Sequence, residues 1–359
     1  MLCNVQHYLV VCSKFVVNSS HFDPGRIGRN ERVVEQHMAM FTAKYKRPLA
    51  SEPPFNSLII DPLRLSDGSP VVLKRVKLDS PEFEIAVLFS SPPLSLDPRN
   101  HYVPVIQALK YGEFGILVLP LLRKFDDPPF DTVREVIECF RQLFEGVQFM
   151  HQNFVVHRDC TKLNIMMDPT KLYPKGYIPE RPYMKVDGSD LVSPSCTRTA
   201  CWPRYYLIDF GHSCQYDPAD GIPHEWVLRE ETKQRLSIAT LTNWSTKSYF
   251  HPAGIGLDFL RPLVEDMVKE NPSERPTIDD VVMRFDAIVK SLSRWRLQAL
   301  TQLGNQPLFF PFAYVGRRLK FALMLKSPLP KIVASPSRVL SATRNFYTAN
   351  RERVATPAA

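Results

Sequence analysis

Two acids, an amide and a lysine stand out in this chain for the company they keep. In VVHRDCTKLNIMMD, Val155 to Asp168, His157, Arg158 and Asp159 adjoin, and Asn164 follows five residues after Asp159, all between two apolar runs. In YYLIDFGHS an apolar run again ends in an acid, Asp209, followed by Phe210 and Gly211. Upstream, VVLKRV places Lys74 inside a third apolar run. Carboxylate and amide oxygens are hard ligands that suit Mg²⁺, where Cys or His would not. Phosphoryl transfer needs little else: an aligner for the attacking hydroxyl, oxygen ligands for the metal and a cation on the phosphates.

The elements that must hold these residues show in the periodicity. SLIIDPLRLSDGSPVVLKRVKL has apolar runs on either side of Asp67-Gly68, a hairpin signal. EFEIAVLFSS reads as a short helix, and HYVPVIQALKYGEFGILVLPLL as two further strands around Gly112 and Gly115. After FDDPPF the texture changes: Val133, Val136, Ile137, Phe140, Leu143 and Phe144 recur at helical spacing, with Asp131 as N-cap. Pro169 to Pro203 is an irregular insert rich in Pro, Ser and Gly, whose default interpretation is a surface loop. FLRPLVEDMVKE and TIDDVVMRFDAIVKSL read as helices around NPSERP, with Thr277 and Asp280 forming a capping box. Strands followed by helices predict two lobes joined near Leu119–Phe125.

Composition bounds the rest. The chain has 359 residues, 44% hydrophobic and 11% aromatic, with 14 Gly and 32 Pro, which suits a globular protein with stiff loops. Its net charge of +8 sits in the tail: Arg317 to Arg353 carry nine Lys or Arg against one acid, Glu352, and residues 1–316 balance at 36 against 36. Such a tail reads as a solubilising extension, or as a weak contact for an acidic partner or nucleic acid. Seven scattered cysteines without a C-x-x-C point to neither a disulfide framework nor a zinc site, and to a reducing intracellular compartment, cytoplasmic or nuclear. The apolar start, interrupted by Lys14, reads as a buried segment and not a signal peptide; no run approaches a membrane span.

H-R-D-x₄-N at His157–Asn164 and D-F-G at Asp209–Gly211 together resemble the eukaryotic protein kinase superfamily. IIDPLRLSDGSPVVLKRV, SSPPLSLDPRNHYVPV and RYYLIDFGHS look closer to divergent fungal kinase-like proteins. The resemblance covers about Ser57–Gly211 and resumes at Gly256–Leu292. It implies an α+β, bilobal kinase-like fold: an N-terminal extension at 1–56, a β-rich small lobe at 57–122, a mainly helical lobe at 123–300 and a basic tail at 301–359.

The same resemblance implies roles. Asp159 becomes the catalytic base or hydroxyl aligner, and Asn164 and Asp209 the Mg²⁺ ligands. His157 and Phe210 would pack those loops, and Arg158 would steady the activation segment. Lys74 would contact the ATP phosphates and Glu84 would pair with it. Leu119 would be the gatekeeper, with Pro120 and Leu122 offering backbone groups to adenine. Thr161 stands where Ser/Thr kinases carry lysine, which leaves Lys162, one place on, as the catalytic-loop cation. Arg275 matches a buried arginine of the helical lobe.

The pattern also departs. No G-x-G-x-x-G precedes Lys74, and Arg275 follows Asp209 by 66 positions without an A-P-E between them, so region 212–256 reads as reduced. Two main readings follow: an ATP- and Mg²⁺-dependent kinase acting on Ser/Thr hydroxyls, or a catalytically weak pseudokinase serving as a binding module. A third, a small-molecule phosphotransferase of the aminoglycoside type, shares Asp-x₄-Asn but lacks the HRD arginine and the intact D-F-G.

Overall fold

The computed structural model describes residues 69–217, 257–301 and 329–330, apart from 112, 180, 270 and 300. The hairpin at Asp67-Gly68, the extension 1–56, most of the reduced region and nearly all of the basic tail lie outside the described residues. What is described is mixed α/β: small antiparallel sheets and several helices, compatible with a kinase-like fold.

β1 (Val71–Lys77), β2 (Gln107–Tyr111) and β3 (Phe114–Pro120) form one sheet in the order β1-β3-β2. β3 lies antiparallel to both neighbours, with Lys74 opposite Leu117 and Ala108 opposite Leu117 from the other side. Strand alternation gives each face its own set. Val71, Leu73, Leu109, Ile116 and Val118 make a small cluster on one face. Val76, Leu117 and Leu119 join the main core on the other, the face to which alternation also assigns Lys74. Glu113 lies in a turn just ahead of β3; Gly115, expected near a turn, lies inside β3.

That face is covered by α1 (Pro81–Ser90). Ser80 caps it by accepting the Phe83 N–H at 3.3 Å, Pro81 occupies the first turn, and two acids sit near the positive end of the helix. β4 (Arg123–Lys124) then leads to α2 (Val133–Gln152), a strongly amphipathic helix buried along most of its length. Its N-cap is Thr132, one residue later than the expected Asp131: the Glu135 carboxylate accepts the N–H groups of both Asp131 and Thr132, at 2.8 and 3.4 Å.

β5 (Val155–Val156) pairs with β8 (Cys214–Gln215), while β6 (Ile165–Met167) is the middle strand between β4 and β7 (Tyr205–Leu207). The insert separates β6 from β7 and ends in a single turn, α3 (Arg198–Cys201). It is no simple surface loop, since Leu172, Tyr173, Tyr177 and Arg198 are buried. Beyond it come α4 (Arg261–Met267), preceded by a 3₁₀ turn, α5 (Ile278–Ser291) and α6 (Arg294–Leu297). Thr277 and Asp280 exchange the reciprocal capping bonds that the sequence signals. α5 packs on α2 with Phe285 edge-on to Phe144 at 5.1 Å. Thr301 closes this part by donating its hydroxyl to the Phe130 carbonyl at 2.6 Å. Arg275 is half-exposed, not buried, and its Nε donates to the Lys269 carbonyl at 2.7 Å. Among the described residues no helix is long and apolar enough to cross a membrane.

Candidate functional site

Three charges meet between β1, α1 and the chain after β7. The Lys74 ammonium lies 2.5 Å from Glu82 Oε1 and 2.6 Å from Asp209 Oδ1, and all three side chains are at most 16% exposed. Burial alone would lower the lysine pKa; the charges of Glu82 and then Asp209 outweigh it, so the pKa rises and the cation persists. The expected helix acid was Glu84, and that expectation is corrected: Glu84 is exposed and Glu82 holds the lysine. The reason is helical phase. Glu82 shares a stripe with the buried Ile85, Ala86 and Phe89 at i+3, i+4 and i+7, and Glu84 does not.

Asp209 reaches Lys74 from a left-handed backbone turn, φ 63°, unusual for a residue with a side chain. Phe210 follows and enters the core, 4.3 Å from the Tyr102 ring and 4.5 Å from the His157 ring. Tyr102 is held there because residues 101–103 run alongside β7, with the Leu207 N–H donating to the His101 carbonyl. Its phenol pKa lies well above the ordinary value, first through burial and then through Glu82 and Asp209.

The Asp159 loop is bolted to the same place. His157 uses both ring nitrogens: Nε2 donates to the Ile208 carbonyl at 3.1 Å and Nδ1 accepts the Asp159 N–H at 3.2 Å. Full burial pushes its pKa down to about 4, so the ring is neutral and this tautomer is set. Arg158 beside it also has positive φ, 63°. The Asn164 amide donates to the Asp159 backbone carbonyl at 2.9 Å and to its Oδ2 at 2.8 Å, and Asn164 is fully buried. Ile208 N–H returns a bond to the Asn164 carbonyl at 2.9 Å, which ties the Asp159 loop to the residue before Asp209. Lys162 is exposed, at the start of the 3₁₀ turn that ends in the buried Asn164.

Leu119 is buried in β3 opposite Val72, and Pro120 ends that strand opposite Val71. Leu121 N–H donates to the Pro70 carbonyl at 3.3 Å, and the Leu122 carbonyl accepts the Tyr177 hydroxyl at 3.3 Å. Glu82, Tyr102 and Tyr177 are the residues that sequence reasoning missed. Only Glu82 left a signal, its helical phase.

The donor set here is oxygen: the Asp209 carboxylate and the Asn164 amide. Since the Asn164 nitrogen is committed to Asp159, its oxygen is the atom a cation would use. Among the described residues no three His, Cys, Asp or Glu cluster as a metal cage. Few protein oxygens, with water and phosphate completing the shell, fit the way Mg²⁺ is held beside a nucleotide.

No family model matches the chain. It is similar to the serine/threonine-protein kinase CAK1 of Saccharomyces cerevisiae, 29% identical over 119 residues that span 31% of this chain and 24% of the yeast protein. The similarity is protein-kinase-like and partial.

Proposed function

We propose that this protein is an ATP- and Mg²⁺-dependent kinase that transfers the γ-phosphate to Ser or Thr hydroxyls, on a bilobal fold with the lobes meeting near Leu119–Phe125. The observation that carries the reading is the buried cluster of Lys74, Glu82 and Asp209, tied through Ile208 to the Asp159–Asn164 pair. In this reading Glu82 holds Lys74 for the phosphates, and Asp159 aligns the hydroxyl and takes its proton. Asn164 and Asp209 would hold Mg²⁺, which when bound neutralises charge on the phosphates. The chain spans about a quarter of its yeast relative, so the substrate class is part of the proposal. So is an acidic partner for the basic tail.

A second reading, a kinase-like binding module, draws on the full burial of Asn164 and the lack of a G-x-G-x-x-G ahead of Lys74. One experiment separates them. Mg-ATP should raise the thermal midpoint of the full chain, and the protein should phosphorylate generic Ser/Thr substrates or itself. Asp159→Asn should lower the rate about 10²- to 10⁴-fold while keeping the thermal shift, and Lys74→Met should lose the shift. Absence of phosphorylation favours the binding module and defeats the kinase reading, and a missing shift, which the lack of a glycine loop would bring, favours the binding module further.

A further inference from the structure

The connection from β3 to α2 is gripped from outside by the insert. Arg123, 5% exposed, lies over the rings of Tyr173 and Tyr177, 4.2 and 4.6 Å from their centroids. Its Nη1 donates to the Pro182 carbonyl at 2.7 Å, Nε to the Asp127 carbonyl at 3.2 Å, and Nη2 meets the Asp127 carboxylate at 2.9 Å. Tyr173 and Tyr177 meet edge-on at 5.7 Å, and the Tyr177 hydroxyl then reaches the Leu122 carbonyl. The far end of the insert is anchored as firmly. The buried Arg198 donates to the Tyr205 hydroxyl at 2.9 Å and to the Pro128 carbonyl, and lies over Phe130 at 4.6 Å. Thr199 adds a hydroxyl bond to Glu135 at 2.6 Å. Burying two guanidinium groups is costly unless each is stacked and bonded, so this insert is a built part of the connection.

We infer that the insert braces the subsite for the nucleotide base, with Tyr177 and Arg123 as positioning residues that set ATP over GTP. The inference rests on the kinase reading, in which the backbone of Pro120–Leu122 meets the purine. Adenine presents one amino donor beside a ring-nitrogen acceptor on the edge that pairs. Guanine presents two adjacent donors there, N1–H and the 2-amino group, and seeks acceptors. The Leu122 carbonyl already receives a hydroxyl from Tyr177, so the brace competes with guanine for that oxygen while it holds the end of β3 in place for adenine.

The test uses the full chain with Tyr177→Phe, which deletes only the hydroxyl and keeps the ring stack, and measures affinities for Mg-ATP and Mg-GTP by calorimetry. The ATP-to-GTP affinity ratio should fall about five- to tenfold, the worth of one hydrogen bond. A residue that only supports the fold would weaken both nucleotides alike and leave the ratio where it was. Arg123→Lys keeps the charge, loses the stack and should move the ratio in the same direction; it decides the matter if Tyr177→Phe does not fold. A wild-type protein that binds neither nucleotide removes the kinase reading and this inference with it. A wild-type protein that binds ATP, beside folded variants with an unchanged ratio, overturns the inference alone.

Discussion

Lys74 and His157 show how single residues set the charge state of this site. Lys74 keeps its proton because two carboxylates outweigh its burial. Its folded pKa lies above the ordinary 10.5, so the stability linked to the lysine's proton is present below that pH and is lost as pH rises through the folded value. His157 works the other way. Its pKa falls from 6.5 to about 4 because the ring is buried, so acid protonates the unfolded chain first. The contribution is intact above pH 6.5 and is lost as pH falls toward 4, up to about 3 kcal/mol in the limit. His151, also lowered to about 4 by burial, adds to the same slope. The expected outcome is a urea midpoint that drops between pH 7 and pH 5. His157→Asn should start lower at pH 7 and drop less, and an undiminished drop would remove His157 from the account.

Among the elements, the contact of α1 with β3 decides whether Glu82 reaches Lys74. A methyl at Gly115 would come 2.7 Å from the Phe83 ring, so the helix sits closer to the strand than any other residue at 115 permits. Gly115→Ala should cost about 1–3 kcal/mol by overpacking and tilt α1 away from the lysine. Thermal midpoints check this, and Phe83→Leu in the Gly115→Ala background should restore part of the loss by making room. Independent, additive losses would mean that the two side chains do not share this space. The existence of these elements was legible in the sequence. Twenty residues of α2 carry a regular apolar stripe, and Thr277 and Asp280 announce α5 by their spacing. α1 was legible as a helix but its facing was misread, because ten mostly apolar residues give a weak stripe and the two acids look equivalent. The motif types assigned Lys74 and Asp209, 135 positions apart, to one nucleotide site; their direct ion pair was not expected, because Glu84 was the expected partner of the lysine. The grip of the insert was not expected either: Arg123, Tyr173, Tyr177 and Arg198 have no period, and only folding brings them to one place.

On the scale of the whole molecule, sheet and helices do not keep separate interiors. One hydrophobic cluster runs from Val76 and Leu117 under the sheet, through Phe89 and Phe210, to Leu143, Phe144 and Phe285 among the helices. Its spine is aromatic. Phe149 lies 6.0 Å from Phe89, Phe89 stacks on Tyr102 at 5.6 Å, and Tyr102 meets Phe210, which meets His157. Close-packed interiors transmit a defect at one point to their neighbours, so a void in this column should be felt at both ends. Phe89→Ala, at a side chain 1% exposed, should cost about 3–5 kcal/mol. The loss should appear as one cooperative transition moved to lower urea, with far-UV circular dichroism and tryptophan fluorescence tracing the same curve. If the sheet unfolded first, the two signals would part, and the two regions would then owe their stability to separate cores, with the column between them contributing little.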